Sequence, residues 1–298
     1  MKKSKVVGCY NNIWSGEKGG VGKSWCAMLD AQRHVDRNIK FWLMDADKNN
    51  QMSQRLYPDA FFSRSVFFSE VPERASSANP ILEAAIDRPV VTNCQAGTND
   101  QILTWMKTKK VPQVAQKLGI TLRYFFVSSL ETDSLNKFES AAQRFSPHMP
   151  IIFVANHGCN LSGPKFFESE GFQSMLERYQ APVIHVGLFD LELRKRMEGH
   201  NPEGCLLNWG EAMESELFGV LDRAEIQAYL EDFYGQLDRA EGLADLAFAE
   251  RLASQSGSSR QAKGVSPPPR QRDSPHGQDL PLDRRDDDQS GRDGKARR

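Results

Sequence analysis

GEKGGVGKS, residues 16–24, follows an apolar run that ends near Trp14 and leads into a helix-patterned segment that begins at Lys23 and Ser24. Strand, glycine-rich loop and helix in that order make a cradle for phosphate. The glycines let successive backbone N–H groups face one anion, and the helix N-terminus adds positive potential. Most such loops read G-x-x-x-x-G-K-[ST]. Here Gly22, Lys23 and Ser24 fit, whereas the slot of the first glycine holds Glu17, followed by a second lysine, Lys18. In this pattern Lys23 reaches the β and γ phosphates and Ser24 ligates Mg²⁺. The extra lysine and the acid need a separate explanation.

Outward from the loop, β-branched and aromatic runs alternate with amphipathic stretches of helical length. The runs KVVGCYNNIW, KFWLMD (40–45), PVVTNC (89–94), LRYFFVSS (122–129), PIIFVAN (150–156) and PVIHVGLF (182–189) read as strands. SWCAMLDAQRHVDR, NDQILTWMKTKKVPQVAQKL, TDSLNKFESAAQRF and KFFESEGFQSMLERY read as helices. This alternation predicts an α/β fold of three layers, a mostly parallel sheet covered by helices on both faces. The nucleotide-binding domain spans residues 1–200. Residues 201–253 hold two or three amphipathic helices, in EAMESELFGVLDR, AEIQAYLEDFYGQLDRA and GLADLAFAERLAS, which pack on that domain or extend it. From residue 254 the chain is rich in Pro, Gly, Ser, Arg and Asp and poor in large apolar side chains, so 254–298 is expected to be a disordered tail.

Composition narrows the function classes. With 298 residues and a net charge of −1, nothing pulls the whole chain towards nucleic acid or an anionic membrane. The tail carries ten Lys or Arg against seven Asp, too interleaved for a nucleic-acid arm. LRKRME, 193–198, is the densest basic cluster elsewhere and reads as a solvated helix face, with contact to DNA, a partner or nucleotide as the other reading. FFSRSVFF, 61–68, reads as core and loop packing. Five scattered cysteines without a C-x-x-C pair indicate neither a zinc site nor a disulfide framework. No apolar run reaches the ~18 residues of a membrane span, and the basic start is unlike a signal peptide. The protein is expected in the cytoplasm, off the membrane.

KGGVGKS, Lys18 to Ser24, resembles the deviant Walker A motif of the ParA/MinD family of dimerising P-loop ATPases. The resemblance implies an ATP and Mg²⁺ site in which Gly19, Gly20, Val21, Gly22, Lys23, Ser24 and Trp25 hold the nucleotide. It also implies that Lys18 is the signature lysine, which crosses an ATP-bound homodimer to the partner's phosphates. A cation supplied from a second subunit stabilises the transferring phosphoryl group only when two copies meet, so turnover is tied to dimerisation. Glu17 is then a tolerated loop residue.

Three further segments fit the same family. FWLMDADKNN, 41–50, resembles its D-x-D segment, which implies that Asp47 orients the attacking water and lies near the metal with Ser24. The family usually continues P-Q, where this chain has Lys48 and Asn49. VVTNCQAGTND, 90–100, stands where the Walker B aspartate belongs, yet the residue is Asn93, an amide without charge to hold an ion. Asn156, at the end of PIIFVAN, would hydrogen-bond the adenine edge, or simply sit in a turn.

The segments at 109–129 and 153–175 look like those of TraL-type conjugal transfer proteins, with partition ATPases as the close alternative. Both imply plasmid transfer or partition proteins as partners. Because of Asn93, a non-hydrolysing adaptor that uses nucleotide to set its shape is a competing reading. A kinase or ligase relative acting on a small acceptor is a third.

Overall fold

A computed structural model describes residues 9–46, 52–64, 66–159 and 167–262. In chain order the elements are β1 (Tyr10–Ser15), α1 (Lys23–Asp36), β2 (Trp42–Asp45), α2 (Met52–Leu56), a 3₁₀ segment (Pro72–Ala78), α3 (Asn79–Ala84) and β3 (Val90–Asn93). Then follow α4 (Asn99–Lys109), α5 (Val111–Leu118), β4 (Thr121–Ser128), α6 (Thr132–Phe145), β5 (Ile151–Asn156), α7 (Glu170–Arg178), β6 (Val183–Val186), α8 (Leu191–Met197), α9 (Trp209–Glu214) and α10 (Val220–Ala262). All six predicted strands are present and join one parallel sheet in the order β2-β3-β1-β4-β5-β6. The strand that carries the glycine loop is therefore flanked on both sides.

Alternation along each strand builds the layers. Ile13, Tyr124, Phe126 and Phe153 pack on one face with Trp105, Phe138, Phe145 and Phe172 from α4, α6 and α7. Their neighbours Trp14, Phe125, Ile152 and Val154 pack on the other with α1, α8, α9 and α10. Val66 is buried in the first of these cores, and Phe62 and Phe68 pack against it, as expected for residues 61–68.

One helix prediction is corrected. The stretch 99–118 is two helices, because Lys110 adopts a left-handed backbone (φ 52°). Pro112 just beyond it has no N–H to continue the ladder, and its ring clashes with the preceding turn. The two or three helices expected over 211–254 are two, α9 and the single helix α10, which passes through Gly235 and Gly242 and runs to Ala262, beyond residue 254 where the tail was expected to begin. Burial of Ile226, Leu230, Phe233, Leu237, Ala240 and Ala244 against the sheet outweighs the glycines' cost of about 1 kcal/mol each. The chain divides into a unit Met1–Gln255 and a unit Ser256–Arg298. Of the second, only the end of α10 is described, so residues 263–298 of the expected tail lie outside the described residues.

Polar groups fasten α10 to α1, the helix that follows the glycine loop. Asp30 on α1 is fully buried and accepts hydrogen bonds from Asn12 Nδ2 (2.9 Å) and Trp14 Nε1 (3.1 Å), while Arg33 Nη2 pairs with it at 3.0 Å. Burial raises its pKa, but Arg33, His34 and these donors outweigh that and hold it below the ordinary carboxylate value. Arg33 continues to Asp238 and Glu241 of α10, Arg37 donates twice to Asp238, and Arg123 of β4 donates twice to Asp245. Asn12, a polar residue in a central strand, is accounted for by its bonds to Asp30 and Glu241. Gln236 of α10 covers the open edge of β6, accepting from His185 N at 2.7 Å and donating to its carbonyl at 2.9 Å as a neighbouring strand would.

Removing one partner of a buried ion pair leaves an uncompensated charge. Arg33→Ala is therefore expected to lower unfolding stability by about 3–5 kcal/mol in a denaturant titration. Lys137→Ala, which deletes an exposed pair with Asp133, should stay within about 0.5 kcal/mol.

Candidate functional site

Parallel strands end together, so the tips of β1, β2, β3 and β5 gather at one edge with the loop 16–22 between them. Gly20 (φ 74°) and Gly22 (φ 94°) have left-handed backbones that only glycine adopts without strain. Gly22 is the N-cap of α1, makes no side-chain cap, and no acid stands in the helix's first turn. The first N–H groups of a 14-residue helix thus meet no capping side chain, beside Lys23. Lys23 is almost fully buried, and its Nζ donates to the Lys18 carbonyl at 2.9 Å, so the side chain arches back over the loop.

Gly19, Gly20, Gly22, Lys23, Ser24 and Trp25 line one cavity of about 450 Å³. Val21 is buried beneath them, and its carbonyl accepts a hydrogen bond from Asn156 Nδ2 at 2.8 Å. Asn156 Oδ1 accepts from Gly158 N at 3.0 Å. The amide expected at an adenine edge is therefore bonded to the loop, and it does not line the cavity.

Lys18 is not in the cavity either. Its Nζ pairs with the carboxylate of Glu131, the N-cap residue of α6, in the same chain. The hydrogen bond to Glu131 raises the Lys18 pKa, and the same bond lowers that of Glu131. With the side chains 39% and 48% exposed, this pair stabilises the fold little and is readily exchanged for another anion. Glu17 has its pKa raised, first by burial and then by the Asp100 carboxylate.

At the tips of β2 and β3, Asn93 Nδ2 donates to Ser24 Oγ at 3.1 Å and to Asp45 Oδ1 at 3.2 Å, and Ser53 Oγ donates to Asp45 Oδ2 at 2.7 Å. Asp45 is linked to Ser24 through Asn93, a placement the sequence reading did not single out. Asp47, with Lys48 and Asn49, lies outside the described residues. The only signal for Asp45 was its place as the first acid of D-x-D at a strand end.

The basic cluster 193–198 is largely neutralised, Arg194 by Glu198, Lys195 by Glu192 and Arg196 by Asp222. Arg194 nonetheless reaches the cavity and lies 5.1 Å from the Trp25 ring. Among the described residues no cluster of three or more His, Cys, Asp or Glu could hold a metal ion alone, and no helix is long and apolar enough to cross a membrane.

No protein-family model matches the chain, and no curated protein matches it. Among solved structures it is similar to a nucleotide-binding protein of Archaeoglobus fulgidus in complex with ADP (18% identity, 66% of this chain and 90% of that one, TM-score 0.41). It is also similar to the septum site-determining protein MinD of Pyrococcus horikoshii complexed with Mg-ADP (14% identity, 79% and 98%, TM-score 0.44). A plasmid partition protein of Borrelia burgdorferi gives 13% identity over 77% and 100% of the two chains, with a TM-score of 0.41.

A Cβ on Gly22 would fall 2.2 Å from Asn156 Nδ2, and its backbone is left-handed. Gly22→Ala should cost about 1–2 kcal/mol from the backbone alone, more from the clash, and should weaken ATP binding. In an Asn156→Ala background the added cost should shrink, which thermal unfolding of the double-mutant cycle measures.

Proposed function

We propose that the protein is a ParA/MinD-like nucleotide switch that binds ATP with Mg²⁺ and pairs face to face with a second copy. The observation that carries this is the glycine loop opening onto the uncapped start of α1 with Lys23 folded across it. Backbone donors, a helix N-terminus and a lysine converge on one point, an arrangement suited to a polyphosphate. Work in plasmid transfer or partition is proposed on the sequence pattern at 109–129 and 153–175 alone.

The metal side fits Mg²⁺ in its donor chemistry. A serine hydroxyl, a carboxylate and an amide oxygen are hard oxygen donors, and this ion takes one or two carboxylates together with phosphate oxygens. Ser24 would hold it and Asp45 would supply the charge that Asn93 lacks, with Asp47 proposed to orient water. Bound there, the ion would neutralise phosphate charge.

Lys18 supports the dimer reading by its accessibility. The exposed pair with Glu131 occupies the lysine in a single chain, and the triphosphate of a facing copy is a stronger anion to receive it. A second reading, an adaptor that binds ATP without turnover, is favoured by Asn93, whose amide is spent on Asp45 and Ser24.

Lys23→Ala should weaken ATP binding by roughly 30-fold or more in equilibrium titration, the scale for a charged partner removed from a buried hydrogen-bonded pair. Lys18→Ala should bind ATP within a few-fold of the parent yet lose phosphate release and ATP-dependent dimerisation. An unaltered protein that dimerises with Mg-ATP and releases no phosphate would establish the adaptor. Failure to bind ATP in millimolar Mg²⁺ would rule out both.

Asn93→Asp sets a second carboxylate within hydrogen-bond distance of Asp45. It should lower the melting temperature without ligand by like-charge repulsion and recover the loss in Mg-ATP, as read by differential scanning fluorimetry with and without EDTA.

A further inference from the structure

We infer that the nucleoside half of the bound nucleotide lies between Trp25 and the residues joining α8 to α9, with Trp25 and Arg194 as its stacking pair, and that Asn156 is a brace of the phosphate loop. The inference rests on the nucleotide reading above and adds where the base is recognised.

The cavity that begins at Gly19 to Ser24 continues along Trp25 to Met197, Leu206 and Leu207. At about 450 Å³ it falls within the ~300–1,000 Å³ of small-molecule sites, and its far wall sets Met197, Leu206, Leu207 and Trp209 around the polar groups of Arg194, Glu198 and Asn208. A flat aromatic base with a triphosphate at one end matches that division, with charge at the glycine loop and apolar surface beyond it. Trp25 follows Ser24 directly, so a ligand anchored on the first turn of α1 meets its ring next.

Both members of the pair are held in place. The Trp25 ring lies edge-on to Trp209 with centroids 4.8 Å apart, and its Nε1 donates to Tyr229 Oη at 3.1 Å. Arg194 Nε donates to Glu198 Oε1 at 2.8 Å, and its guanidinium lies 5.1 Å from the Trp25 ring, so two contacts favour this orientation. An indole and a guanidinium with settled orientations form a face on which a base stacks at little ordering cost.

Asn156 is committed elsewhere. Its Nδ2 donates to the Val21 carbonyl and to Cys159 Sγ (3.3 Å), and its Oδ1 accepts from Gly158 N. Turning to a base edge would release a buried carbonyl of the phosphate loop, a cost of about 1–3 kcal/mol.

The test compares ATP with inorganic tripolyphosphate, which carries the same anion and no nucleoside, by calorimetry on the full-length protein in Mg²⁺. Arg194→Met and Trp25→Leu should each weaken ATP by about tenfold or more, the scale of base stacking, while tripolyphosphate stays within twofold. Leu206→Trp, which adds bulk at the opposite wall, should behave likewise and guards against a Trp25 variant that fails to fold. Asn156→Ala should weaken both ligands in equal proportion. If Arg194→Met and Leu206→Trp leave the ratio of the two affinities unchanged, or if Asn156→Ala weakens ATP alone, the inference falls while nucleotide binding stands. If the unaltered protein binds neither ligand, the nucleotide reading falls and takes the inference with it.

Discussion

The opening N–H groups of α1 have no acceptor inside the helix and meet no capping side chain. That uncapped helix start is the constraint around which the molecule is arranged. It follows β1, a strand paired on both sides, so the loop before it starts from backbone held within the sheet. Left-handed glycines turn the chain there, and Asn156 braces it from the tip of β5. A site made of backbone donors depends on backbone position, which explains why so much buried structure converges on one short loop.

The second constraint keeps α1 itself in place. Asp30, Arg33 and Arg123 are buried charges, costly unless every one is partnered, and α10 supplies Asp238, Glu241 and Asp245 for that purpose. The same helix packs apolar side chains on the sheet and offers Tyr229 to Trp25. Hydrophobic packing would allow α10 to slide by a turn, whereas paired charges at fixed spacing do not. The polar network thereby ties the register of the last helix to the wall of the cavity.

Much of the fold was legible because each strand is a short β-branched or aromatic run, buried on both faces and bounded by turn residues. The loop was legible because its chemistry demands particular residues at particular spacing. What escaped has physical causes. Lys110 has no helix-breaking character of its own, and the break comes from Pro112 downstream. The break expected between Ala240 and Gly242 is absent, because burial of the flanking apolar residues carries α10 through it. Asp45 and Arg194 became part of the site through contacts across the fold, Asp45 with Asn93 and Arg194 with Trp25, which no local pattern encodes. Asn156 was found by its position at a strand tip, while its bonds to Val21 and Gly158 are tertiary contacts that no local pattern encodes.

In the proposed reading these contacts make an anion cradle at the start of α1, a metal side at Asp45 and Asn93, a base-stacking arm at Trp25, and a lysine, Lys18, paired with Glu131 until a second copy docks. The most direct measurement is a crystal structure with a non-hydrolysable ATP analogue and Mg²⁺. The account predicts the β and γ phosphates within hydrogen-bond distance of the backbone N–H groups from Gly19 to Ser24, with Lys23 Nζ on them and Lys18 of a second copy released from Glu131. Phosphates bound away from the start of α1, or a loop that keeps its Lys23 to Lys18 contact with the analogue bound elsewhere, would contradict it.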